Sequence, residues 1–193
     1  VSSFRIFSKK VEEKWMSIFH VYLIQFGPIL MDLHGWKCLL MKANLVYIQH
    51  LTKYGFLDGI VVERIDGLKH IEFGDDYSKA MQYLSDNTEK IISDPEFKFE
   101  IPTTENWQHD VLKQLLGENK LIRIEMNKSD YIHGFVEKLS ETEFILNQVG
   151  KMGEDEFRSV FKIEDVTAFR LNEMDARKRL LLYNWRKSID WLI

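Results

Sequence analysis

Two stretches of this chain read alike about one hundred residues apart, and that repetition constrains the fold more than any other feature. Leu33-His34-Gly35-Trp36 matches Ile132-His133-Gly134-Phe135 at a separation of 99, and the block from Ile65 to Phe73 matches the block from Ile163 to Leu171 at 98. A near-constant offset over two separated blocks points to an internal duplication. With 193 residues in all, duplication implies two small domains of roughly one hundred residues, each with chain enough for a modest core. The expected domains are 1–96 and 97–193. The Asp94-Pro95 to Pro102 segment is the linker, because a proline ends any helix before it.

Periodicity fills in the elements. In the second copy, Thr103-Thr104-Glu105 reads as an N-cap followed by an apolar stripe at Trp107, Val111, Leu112, Leu115 and Leu116, closed by Gly117. Five strands follow, at 121–126, 131–139, 144–149, 157–163 and 167–171, with alternation clearest at Ile122, Ile124 and Met126 and at Thr167, Phe169 and Leu171. Gly150 to Glu156 is a turn. The first copy repeats the order: a helix through Phe4, Phe7, Val11, Trp15 and Ile18, then extended segments at 19–26, 29–41, 45–51, 59–64 and 69–73. Each copy closes in a helix, through Tyr77, Ala80, Met81, Leu84 and Ile91 in the first and Leu180, Leu181, Tyr183, Ile189 and Trp191 in the second. The fold class is mainly β with flanking helices.

Charge and cysteine content exclude several function classes. The net charge is −4, with 12 Lys/Arg against 13 Asp/Glu in residues 1–98 and 14 against 17 in residues 99–193. Neither half has the basic excess that drives non-specific nucleic-acid binding. Arg177, Lys178, Arg179, Arg186 and Lys187 form one local basic cluster on the last helix, which reads first as a solvated helical face and second as a phosphate-binding face. Cys38 is the one cysteine, so no intrachain disulfide forms and a reducing, cytoplasmic setting is expected. The apolar stretch from Ile18 to Leu33 is broken by His20, Gln25, Pro28 and Asp32, too soon for a membrane span. Glu12 and Glu13 spoil the basic region that a signal peptide would need.

His34 and His133, with their aromatic neighbours Trp36 and Phe135, are the sharpest recurring polar positions and are candidate binding residues. No HExxH or CxxC spacing accompanies them, so a metal site is not expected, and the histidines read as strand residues packing beside a bend. Gly55 to Gly59 and Gly150 to Gly153 lack the strand-to-helix context of a phosphate loop and read as inter-strand turns. No cofactor and no catalytic residue are expected.

Residues 104–171, and through the repeat roughly 5–73, resemble the Sm-like branch of the small SH3-like β-barrels. The residues that carry the likeness are Leu121-Ile122-Arg123-Ile124-Glu125-Met126, Tyr131-Ile132-His133-Gly134-Phe135-Val136, Phe144-Ile145-Leu146 and Val160 to Val166. The resemblance implies two tandem five-stranded barrels, each preceded and followed by a helix, with Gly134 and Gly35 at the bend of the long second strand. Sm-like proteins that bind RNA carry an Asp with a nearby Asn after the second strand and a Gly-centred motif near the fourth. Here Ser140-Glu141-Thr142-Glu143 and Lys162-Ile163-Glu164-Asp165 stand in those places, so the family's RNA-binding residues do not carry over. The expected function is a non-enzymatic protein-binding or assembly module that self-associates through strand edges. The alternative is nucleic-acid binding through Arg177, Lys178, Arg179, Arg186 and Lys187; no membrane partner is expected.

Overall fold

A computed structural model describes residues 18–22, 36–42, 44–64, 66, 70–127 and 130–190, with side chains for 44–64, 66, 74–127 and 131–189. The chain divides between Thr88 and Glu89 into two compact units. The first holds strands β1 (Ile18–Tyr22), β2 (Trp36–Lys42), β3 (Leu45–Leu51), β4 (Leu57–Arg64) and β5 (His70–Phe73), then helix α1 (Asp76–Asp86). All pairings are antiparallel, in the order β4-β3-β2-β1-β5. Alternation along β3 buries Val46 and Ile48, and Leu51 joins them after a register shift. Helix α1 opens on Asp75, whose carboxylate accepts the Ser78 N–H at 2.7 Å. It buries Ala80, Met81 and Leu84 on one face.

The second unit begins with α2 (Glu89–Ile92) and α3 (Trp107–Leu115), followed by β6 (Ile122–Met126), β7 (Asp130–Leu139), β8 (Glu143–Val149) and β9 (Asp155–Lys162). A 3-10 turn at Ile163–Asp165, β10 (Val166–Arg170) and α4 (Met174–Asp190) complete it. Its sheet order is β10-β6-β7-β8-β9. One core joins Val111, Leu112 and Leu115 of α3 to Ile122, Ile124 and Met126 of β6, Val136 of β7, and Phe144 and Leu146 of β8. A second, smaller cluster of Leu121, Val149 and Ala176, with Phe135, Leu180 and Tyr183 against it, seats α4. Strand β7 serves both: Ile132 and Val136 join the larger core, while Phe135 meets the Tyr183 ring at 5.1 Å. The expected cap at Thr103-Thr104 is corrected. Helix α3 starts later, behind Asn106, because the Thr104 hydroxyl donates to the Asp110 carboxylate at 2.5 Å instead of capping backbone.

The two sheets correspond position by position. Leu45 pairs with Arg64 as Glu143 pairs with Lys162, both at an offset of 98 (143 − 45). The register shift after Cys38 recurs after Val136, and that after Gln49 recurs after Asn147. Asn172 has positive φ where Gly74 does. The β3–β4 and β8–β9 turns match too, with Thr52 N–H bonded to Phe56 C=O at 2.8 Å and Gly150 N–H to Glu154 C=O at 2.9 Å. Only β1 departs: Phe19 faces Trp36 as Ile122 faces Gly134, an offset of 103 (122 − 19), so five extra residues lie between β1 and β2.

This register corrects the histidine alignment. Gly134 pairs with Gln148 as Trp36 pairs with His50, so Gly134 corresponds to Trp36, not Gly35, and His133 is not the counterpart of His34. His34, Gly35 and the expected helix through Phe4, Phe7, Val11 and Trp15 lie outside the described residues, while Ile18, expected at the end of that helix, instead opens β1. The glycine is required on the strand: a Cβ at Gly134 would stand 2.3 Å from the Asn147 carbonyl oxygen. Among the described residues neither sheet closes on itself. Strands β4 and β5 are the edges of the first, β9 and β10 those of the second.

Candidate functional site

Exposed apolar side chains gather on two of those edges. On β4, Leu57, Ile60 and Val62 are 68%, 60% and 49% exposed, and on β9, Phe157 and Val160 are 60% and 61% exposed. Both strands are eight residues long and follow one pattern of exposure. Each begins acidic and ends on a cation, from Asp58 to Arg64 in β4, where Glu63 precedes the arginine, and from Asp155 and Glu156 to Lys162 in β9, with Arg158 between. An edge strand turns every second backbone N–H and C=O away from its sheet, and apolar residues beside such groups make a surface that another strand can cover. Gln49 holds β4 to β3 by donating to the Gly59 carbonyl at 2.6 Å.

The basic cluster on α4 has a different role from the one its sequence suggests. Lys178 and Arg179 are buried, which corrects the reading of this segment as a solvated face. Arg179 donates to Asp175 at 2.8 Å and to the Val149 carbonyl at 3.0 Å, and the Lys178 ammonium lies 3.3 Å from Asp175. Arg177 donates to the carbonyls of Ile91 at 2.7 Å, Ile92 at 2.9 Å and Asn172, which ties α2 to α4. Arg186 donates to the Met152 carbonyl at 2.8 Å and Lys187 to Asp155 at 2.7 Å. That hydrogen bond holds the Asp155 carboxyl below its usual range and the Lys187 ammonium above its own. All five cations make contacts within the unit, and two of them, Lys178 and Arg179, are buried there.

His133 sits in the same charged cluster. Its Nε2 lies 3.3 Å from Asp175 and 3.7 Å from Glu173, and Arg123 lies 3.2 Å from Glu173. Neither His133 Nε2 nor Arg123 Nε makes a hydrogen bond among the described residues, although both atoms are buried. Burial and the Arg179 guanidinium push the imidazole down to about 4, against the pull of Asp175. Burial alone would raise the Asp175 carboxyl, but Lys178 and the Arg179 hydrogen bond outweigh it and hold it at about 2. At neutral pH this is a neutral imidazole beside a carboxylate already shared by two cations, an arrangement that locks α4 to β6 and β7.

Among the described residues of the second unit lie two shallow clefts, neither of which includes His133. One of about 520 Å³ is lined by Gln108, Glu141, Thr142, Glu143, Lys162, Ile163 and Glu164. It forms because β8 pairs with β9 and Ile163 donates to the Thr142 carbonyl at 2.9 Å, which brings together the two acidic loops at 140–143 and 162–165. Its carboxylates repel a phosphate backbone. The other, about 320 Å³, lies between α4 and residues 90–96. Among the described residues no group of three His, Cys, Asp or Glu side chains is placed to hold a metal ion, and no helix is long and apolar enough to cross a membrane.

Of the residues picked out from sequence, Phe135 is half-buried under α4 against Tyr183. Trp36 lies in β2, where its side chain, like that of Cys38, is outside the described set. The sequence does not single out the edge residues Ile60, Val62, Phe157 and Val160, since periodicity does not show which strand lacks a neighbour. No protein-family model matches the chain, and no curated protein or solved structure matches it either.

Proposed function

We propose that this protein is a non-enzymatic assembly module: two copies of one Sm-like, SH3-like barrel unit, duplicated within a chain, that binds protein and first of all itself through strand edges. The observation that carries this reading is the recurrence of one exposed, apolar, acid-to-base edge on both β4 and β9. Exposed apolar side chains on an edge strand invite aggregation, and single charges or a proline are the usual protection. Val62 and Val160, which occupy matching positions, are exposed in both units, and that recurrence favours a use for them. The helix before five antiparallel strands, the long second strand and the close approach at Gly134 support the Sm-like reading. The lone Cys38 fits a reducing, cytoplasmic setting.

Light scattering across a hundredfold range of protein concentration tests the reading. Assembly predicts a mass that climbs from one chain toward two or more, whereas a single-chain mass throughout contradicts it. The nucleic-acid alternative is the weaker reading, because Lys178 and Arg179 are buried and Arg177, Arg186 and Lys187 also make contacts inside the unit.

A further inference from the structure

We propose that β9 pairs antiparallel with β9 of a second copy of this chain, in the register that sets the two Ser159 residues opposite one another. This deepens the assembly reading and rests on it. Along an antiparallel ladder, hydrogen-bonded and non-hydrogen-bonded pairs alternate. Ile163 donates its N–H to Thr142, so its backbone groups face β8. The register runs unbroken from Lys162 opposite Glu143 to Arg158 opposite Asn147. Phe161 and Ser159 therefore also face β8, while Arg158, Val160 and Lys162 turn their N–H and C=O groups to the open edge. Beyond Arg158 the register shift opposite Gln148 interrupts the alternation. The free ladder is 158–162.

Charge and side-chain pairing select one register on that ladder. A twofold axis relating two identical antiparallel strands sets one residue opposite its own copy. Centring on Arg158 or on Lys162 opposes two like cations, and centring on Val160 opposes Arg158 to Lys162. Centring on Phe161 runs the pairing into the 3-10 turn at Ile163–Asp165, where the strand has ended. Centring on Ser159 sets Arg158 against Val160 of the second copy within that ladder and, where the strand continues past the register shift to Asp155, Phe157 against Phe161 and Glu156 against Lys162, each twice. The exposed Phe157 and Val160 are thereby covered and unlike charges meet. Arg158 and Val160 then exchange backbone hydrogen bonds, and Ser159 falls at a non-hydrogen-bonded pair, where side chains come closest.

Mild oxidation of the full-length Ser159→Cys variant tests this, because a non-hydrogen-bonded pair brings two opposed Cα atoms to about 4.5 Å, within reach of a disulfide. The controls are the unsubstituted chain, which carries Cys38, and Val61→Cys at the matching position of β4. Val160→Lys, an exposed change that opposes a cation to Arg158, is expected to weaken association roughly tenfold. Cross-linking through the introduced thiol of Ser159→Cys, above both controls, together with weakened association of Val160→Lys, is the expected result. If the chain associates by light scattering but Ser159→Cys fails to cross-link, the β9 register is overturned while the assembly reading stands. If the chain stays monomeric throughout, both fall.

Discussion

Lys178 occupies in α4 the position that Ala80 occupies in α1, 98 residues earlier, and both are buried. Its neighbour Arg179 likewise stands where Met81 does, and Leu182 where Leu84 does. A helix face that is apolar in the first unit has thus taken two cations into its buried side in the second. Asp175 and the Val149 carbonyl give them the acceptors that buried charge requires.

Removing the shared carboxylate should be costly. Asp175→Asn leaves Lys178 and Arg179 buried without their counter-charge, and a loss of about 3–5 kcal/mol is expected in urea unfolding. Adding Lys178→Ala and Arg179→Met, which restores the residues of α1, should recover most of that loss. A triple variant no more stable than Asp175→Asn would show that the cations do not depend on this acid.

Acid should loosen the second unit in a defined window. A denatured imidazole takes up its proton near pH 6.5, whereas folded His133 does so only at about 4. The unfolded state therefore binds more protons between those values, so stability falls as pH drops from about 6.5 to about 4, by roughly 2–3 kcal/mol, and this contribution then levels off. The Asp175 carboxyl, held at about 2, adds a further loss only at more acidic pH. Urea midpoints at pH 7, 5.5 and 4 should show the slope, and His133→Asn should flatten it.

The turn before β9 should tolerate no side chain. Gly153 has φ +77, and a Cβ there would lie 2.5 Å from the Tyr183 nitrogen and 2.6 Å from Leu182, as one at Gly55 would lie 2.7 Å from Leu84. Gly153→Ala combines an unfavourable backbone with overpacking against α4 and should cost about 2–4 kcal/mol. Gly117→Ala has similar φ but open space around it, so its cost should be about 1 kcal/mol. Equal losses for the two variants in thermal unfolding would count against the packing argument.

The cations of α4 should matter for folding and not for nucleic acid. Arg177→Ala removes charged hydrogen bonds to Ile91 and Ile92 and should destabilise by about 1–3 kcal/mol. Single-stranded RNA should show no affinity that rises as salt is lowered, measured by fluorescence anisotropy. A salt-dependent affinity lost in Arg177→Ala, Lys178→Ala and Arg179→Ala would restore the phosphate-binding reading.

Much of the architecture was legible in the residues. Ile122, Ile124 and Met126 announce β6 by alternation and Val111, Leu112 and Leu115 announce α3 by helical spacing, because local periodicity reports one buried face. The offset of 98 was visible in the block at Ile65 and Ile163, and carried through to Gly55 and Gly153 it would have placed Lys178 over Ala80. What hid the buried cations was chemistry: three successive basic residues look solvated until Asp175 and distant carbonyls are known to engage them. The His34 pairing with His133 misled because the local match of His-Gly-aromatic outweighed a one-residue difference in register. The edge surface was invisible for another reason. Alternation shows which residues share a face, but not which strand has no neighbour.

Sedimentation equilibrium of the full chain beside a Val62→Lys, Val160→Lys double variant tests the assembly claim most directly. The account predicts a concentration-dependent rise in mass for the unsubstituted chain that the double variant shifts to at least tenfold higher concentration. One chain's mass at every concentration, or association unchanged by the two edge lysines, would contradict it.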